Sequence, residues 1–135
     1  MARHAKQGPG QQYTLFVYGT LKRNFSNHYF LRQATYVGQA RTVEHYGLYV
    51  DEFPFVYASD PVCAIRGEVY RVDSATLTRL DGLEGHPRRY RREEIEVRLD
   101  SGEEMRAWLY FFPERSGRLI PSGEFNPLKE FGRES

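Results

Sequence analysis

The segment from Tyr90 to Phe112 constrains the fold more than any other stretch of the chain. Ile95, Val97 and Leu99 alternate with charged residues, the period of a strand with one buried face. Asp100-Ser101-Gly102 is a hairpin signal, and Met105 to Phe112 reads as the return strand. An antiparallel pair of this length needs a sheet around it and a second layer over its apolar side.

Other strand signals are spread along the chain. Leu15 to Tyr18 is an apolar run, Tyr36 to Val43 and Tyr46 to Val50 are rich in aromatic and β-branched residues, and Ala64 to Val72 is a further strand. Asp51 to Pro61 contains two prolines and reads as a loop with at most a short strand. One helix stands out over Ser74 to Glu84, with Asp73 or Ser74 as N-cap and Gly85 and Pro87 as stop signals. A short helix or helical turn is expected within Asn24 to Ala34. Residues 1–12 read as a mobile lead-in and 13–135 as a single domain, with a Pro-, Gly- and charge-rich tail after Pro113 that wraps the body or frays. The expected fold class is α+β, a small mixed domain around a curved sheet, open or closed.

Composition narrows the functional classes. The 135 residues carry a net charge of +1, so no bulk field draws the chain to nucleic acid or an anionic membrane. No apolar run approaches the ~20 residues of a membrane span. The single Cys63 cannot form an internal disulfide, which points to a reducing, cytoplasmic setting. Its position on a strand approach suggests a packed thiol with no base to activate it. The four histidines lack zinc-like spacing, and no phosphate-binding glycine pattern appears. Cofactor-free and metal-free chemistry is the expectation, with no nucleic-acid or membrane partner.

Two segments carry chemical signals. In the first, Tyr18-Gly19-Thr20-Leu21, a strand ends on a residue without a Cβ, which lets the following amides approach an anion. Many strands end on glycine simply to turn. In the second, the helix phase puts Leu80 near −60° and Leu83 near −120° of Leu77, while Glu84 falls near −20° within the leucine stripe. A carboxylate turned toward an apolar interior has a raised pKa and suits acid–base chemistry near neutrality. The commoner outcome for a glutamate in a last turn is that the helix frays there and the side chain escapes to water. Asp81, at the stripe edge, reads as exposed or capping, and His86 as a solvated loop residue. Arg88, Arg89, Arg91 and Arg92 surround Tyr90 as a nucleic-acid patch would, but Glu93, Glu94 and Glu96 argue for an ordinary charged strand surface. Trp108 and Tyr110 are either core or cavity-lining.

These two segments resemble the motifs of the γ-glutamylcyclotransferase-like family, which includes γ-glutamylamine cyclotransferases and AIG2-like proteins. Phe16-Val17-Tyr18-Gly19-Thr20-Leu21-Lys22 with Asn27-His28 is similar to the family's opening motif. Leu80 to Pro87, continuing to Tyr90 and Arg92, is similar to its Glu-Gly-x-Pro-x-x-Tyr-x-Arg motif. Gly67 to Tyr70 and Trp108 to Tyr110 resemble the flanking strands. Asn24 stands where many members have glycine, and it tolerates a left-handed turn.

The resemblance implies a twisted, barrel-like, mostly antiparallel sheet with a cavity at one end. It also implies Glu84 as catalytic acid–base, the amides of Tyr18, Gly19, Thr20 and Leu21 as substrate-binding, and Tyr90 and Tyr110 at the cavity. The implied reaction releases 5-oxoproline and an amine or amino acid from a γ-glutamyl compound. A binding domain of the same fold that recognises a γ-glutamyl or carboxylate ligand without turnover is the alternative. Which amine leaves, whether the first-motif amides bind carboxylate or oxyanion, and the oligomeric state are not legible in the sequence.

Overall fold

The computed structural model describes residues 11–22 and 27–126. The expectations for residues 1–10, for Asn24 and for residues 127–135 lie outside the described residues. Eight strands are present: β1 Gln12–Val17, β2 Thr35–Thr42, β3 Gly47–Val50, β4 Pro54–Tyr57, β5 Arg66–Asp73, β6 Arg91–Leu99, β7 Glu104–Phe111 and β8 Arg118–Leu119. One α-helix, α1 Ser74–Glu84, and a short 3-10 turn, His28–Leu31, complete the elements.

The sheet closes on itself. β1 pairs with β5, β5 with β2, β2 with β6 and β6 with β7, all antiparallel. β7 then returns to β1 through a parallel pairing at Leu15 and Trp108, completing a five-stranded ring. The expected curved sheet is therefore a closed barrel. The hairpin read from Ile95, Val97 and Leu99 is the β6–β7 ladder, running from Arg91 opposite Phe111 to Arg98 opposite Glu104.

Alternation decides which side chains fill the barrel. Phe16, Ala40, Val69, Val97, Leu99, Ala107 and Leu109 belong to one buried cluster inside the ring. The residues between them, Leu15, Val17, Tyr70 and Val72, form a second cluster on the outer face, covered by Leu77 and Leu80 of α1. The tail wraps rather than frays as far as it is described: Ile120 and Phe125 join the inner cluster, and Arg66 N–H donates to the Gly123 carbonyl.

α1 has the bounds that its sequence signals give. Asp73 caps it, its carboxylate accepting the Thr76 amide at 2.8 Å, and Gly85 ends it with φ +69°, a left-handed conformation that glycine adopts without strain. One expectation needs correction. Leu83 is 39% exposed instead of completing the buried stripe, because the helix's final turn passes the edge of β1 and reaches the mouth of a cavity. The segment 51–61 holds the short strand that its sequence allows, β4, which opens on Pro54 at the one end of a strand where a missing N–H is tolerated.

The two ends of the β7 edge position the site. β1 occupies that edge at Trp108, whereas β4 occupies it at Phe111. Where the edge passes from β1 to β4 the two strands separate, and the chain leaving β1 at Tyr18 turns across the gap.

Candidate functional site

The gap holds a cavity of about 150 Å³. Its walls include Tyr18, Gly19, Thr20, Leu21, Glu84, Tyr90 and Tyr110, so the residues that the resemblance assigns to the site line one cavity. Phe16 and Val17 of β1 also line it, and Asn27, Phe53, Pro54, Leu83 and Arg89, likewise not assigned to the site from sequence, complete the walls, although Phe53 was among the aromatics considered for a leaving-group wall. Its companions in that set went elsewhere: Tyr46, Tyr49 and Phe55 are core, and Tyr57 packs beside them.

The first motif is a tight turn held from within. Lys22 N–H donates to the Gly19 carbonyl at 3.0 Å, and Asn27 holds Thr20 twice, through its amide to the Thr20 carbonyl and its Nδ2 to Oγ1, both at 2.8 Å. His28 Nδ1 donates to the Leu21 carbonyl at 3.0 Å. The Thr20 and Leu21 amides make no hydrogen bond among the described residues, which leaves them for a ligand. Gly19 has its role from close approach: a Cβ there would sit 2.9 Å from Pro54 Cγ on the opposite wall. Lys22 turns away, burying its ammonium against the Phe125 carbonyl at 3.0 Å.

Glu84 occupies the other side. It stands on the last turn of α1, and among the described residues its carboxyl accepts no side-chain or backbone hydrogen bond. Burial pushes its pKa to about 7, with the Arg89 guanidinium opposing the shift. The fraying alternative fails because Gly85 N–H bonds to Gly82, His86 N–H bonds to Asp81 and the Tyr90 amide bonds to the Glu84 carbonyl, which together lock the turn.

Asp81 overturns its reading as an exposed or capping residue. Its carboxylate forms a forked pair with Arg92, Nε to Oδ1 at 2.7 Å and Nη2 to Oδ2 at 3.0 Å, and accepts the Tyr110 hydroxyl at 2.7 Å. Burial raises its pKa, but these bonds and the Arg92 charge outweigh burial and hold it below the usual range. Arg92 also lies over the Trp108 ring at 4.5 Å. His86 is likewise not simply solvated, since its Nδ1 accepts the Arg92 amide at 3.1 Å. Burial raises the Cys63 thiol pKa, consistent with a packed thiol away from the site. No group of three or more His, Cys, Asp or Glu side chains among the described residues is arranged to hold a metal.

Fold and cavity together define a small barrel-like α+β domain in which the turn after β1 and a raised carboxyl group line one cavity. Residues 15–127 match the family described as gamma-glutamyl cyclotransferase, AIG2-like, and the chain belongs to that family. Two relatives provisionally named gamma-glutamylcyclotransferase are similar along nearly their whole length. One, from Methanocaldococcus jannaschii, is 46% identical over 85% of this chain and 97% of its own. The other, from Vibrio cholerae, is 38% identical over 84% and 96%. An AIG2-like protein of Mus musculus has a solved structure with a TM-score of 0.81 and 26% identity, covering 91% of this chain and 94% of its own.

Proposed function

We propose that this protein cyclises a γ-glutamyl compound, releasing 5-oxoproline and a free amine or amino acid. The observation that carries this reading is the pairing of Glu84, with its pKa near 7, and the unused amides of Thr20 and Leu21 across one small cavity. An engineered cavity of about 150 Å³ accommodates benzene. A space of the same volume suits a glutamyl group, with the departing amine projecting past Phe53, Leu83 and Arg89 at the mouth.

The substrate's α-amine attacks its own γ-carbonyl, so a C–N bond forms within the molecule while the amide C–N bond breaks. Nucleophile and electrophile already share one chain, so the protein needs only to fold the substrate and move a proton. An α-ammonium has its reference pKa near 8 and must lose a proton before attack. Glu84 as carboxylate takes that proton and returns it to the leaving nitrogen, one group serving twice. Its pKa suits both halves, since near neutrality the carboxyl exchanges a proton with little cost in either direction. The first-motif amides hold the substrate's α-carboxylate or the oxygen that gains charge in the transition state, and one such oriented donor is worth about 3 kcal/mol. A reducing, cytoplasmic setting fits the free Cys63.

Measuring 5-oxoproline release across γ-glutamyl amines and γ-glutamyl amino acids tests the reading. Turnover of at least one class, lost in Glu84→Gln, supports it. Undiminished turnover in that variant would overturn the role given to Glu84.

A further inference from the structure

Three tyrosines line the cavity, and each has already committed its hydroxyl proton. Tyr18 donates to the Tyr110 carbonyl at 2.9 Å, Tyr90 to the Pro54 carbonyl at 3.3 Å and Tyr110 to Asp81 Oδ1 at 2.7 Å. These directions are fixed by chemistry: a carbonyl oxygen can only accept, and Asp81 is kept ionised by its forked pair with Arg92. All three tyrosines are buried, and they line the same cavity as Glu84. A hydroxyl that has given its proton away offers a ligand only lone pairs.

The cavity is therefore polarised. Its Glu84 side presents acceptors, whereas the Thr20 and Leu21 amides present donors. A ligand that satisfies both ends carries N–H groups and a carboxylate close together, as the α-carbon of an amino acid does. We propose that Tyr18, Tyr90 and Tyr110 form an acceptor wall that reads the substrate's α-amine, with Asp81 and Arg92 as positioning residues that hold the Tyr110 proton out of the cavity. This inference rests on the cyclisation reading above. It adds that the amine is recognised by hydroxyl oxygens, whose polarity is set by an ion pair outside the cavity.

The test uses two rings that differ in one atom. 5-Oxoproline carries an N–H where the α-amine was, and its lactone counterpart, 5-oxotetrahydrofuran-2-carboxylate, carries an oxygen there. Calorimetry on the wild-type protein should show 5-oxoproline binding at least about ten-fold more tightly, the size of effect expected when buried acceptors face a lone pair instead of a donor. Tyr110→Phe removes one acceptor and should reduce that ratio. Asp81→Asn offers an amide N–H to the Tyr110 oxygen, frees the hydroxyl proton to turn inward and should reduce the ratio further. A purely structural role for Asp81 would weaken both ligands alike and leave the ratio unchanged; that result, in variants whose melting shows an intact fold, would overturn the proposal. Equal wild-type affinity for the two rings, with 5-oxoproline release intact, would overturn this inference alone. A wild-type protein that binds neither ring and releases no 5-oxoproline would overturn the cyclisation reading and this inference together.

Discussion

Asp81 and Glu84 stand one turn apart on α1, and their carboxyl groups are driven in opposite directions. Asp81 meets Arg92 and Tyr110 and is held below the ordinary range, whereas Glu84 meets no hydrogen-bond donor among the described residues and rises to about 7. The Asp81–Arg92 pair ties the last turns of the helix to β6.

The raised carboxyl has a stability consequence with a definite sign. Between about pH 4.5 and about 7 the folded protein holds a proton at Glu84 that the unfolded chain has released, so stability falls as pH rises through that window. Glu84→Gln removes the burial of charge. In urea titrations the variant is expected to gain on the wild type between pH 5 and pH 8, by a limiting difference on the order of 3 kcal/mol. Turnover should fall by about 10²-fold or more, the usual contribution of a positioned acid–base group.

Activity should rise with pH through about 7 as Glu84 ionises. Arg89 opposes the shift in Glu84, so Arg89→Leu should move this rising limb of the kcat/KM profile to higher pH. An unmoved limb would show that the profile reports another group.

Gly19 faces Pro54 with no room for a methyl group. Gly19→Ala should push the first-motif turn away from β4 and weaken 5-oxoproline binding by about ten-fold, a loss of about 1.4 kcal/mol. Its melting temperature should move little, because the strain lies in a turn rather than in the barrel. Calorimetry and a thermal melt on the same sample check both halves.

Phe125 is 1% exposed and packs with the residues that fill the barrel. Phe125→Ala should cost about 3 kcal/mol by urea denaturation, the lower end of the range for such truncations, because the wrapping tail can partly relax. Val43→Ala, at a surface position, is the matched control and should change stability by less than about 0.5 kcal/mol.

Much of this architecture was legible because local signals agreed with one another. α1 was bounded by its own cap and its own terminal glycine, and the β6–β7 hairpin by alternation and a turn. The short strand allowed within 51–61 could not be placed, since the sequence does not reveal that Pro54 begins a strand instead of interrupting one. The helix phase placed Glu84 correctly but not Leu83, because phase describes a helix and not what its last turn meets. Asp81 and His86 were misread for a related reason. Their partners lie on strands, Arg92 at the start of β6 just past the helix and Tyr110 on β7, and helix phase alone does not show that the chain folds back to bring them to Asp81 and His86.

The parallel seam between β1 and β7 also sets an order of events in time. Tyr18 follows the first strand and Tyr110 lies near the end of β7, 92 residues later, yet one hydrogen bond joins them. Joining such distant segments costs loop entropy that the intervening strands must first offset. A chain emerging from the ribosome can therefore form its helix and several strand pairs while the cavity does not yet exist. The cavity is complete only with the long-range closure that joins β1 to β7.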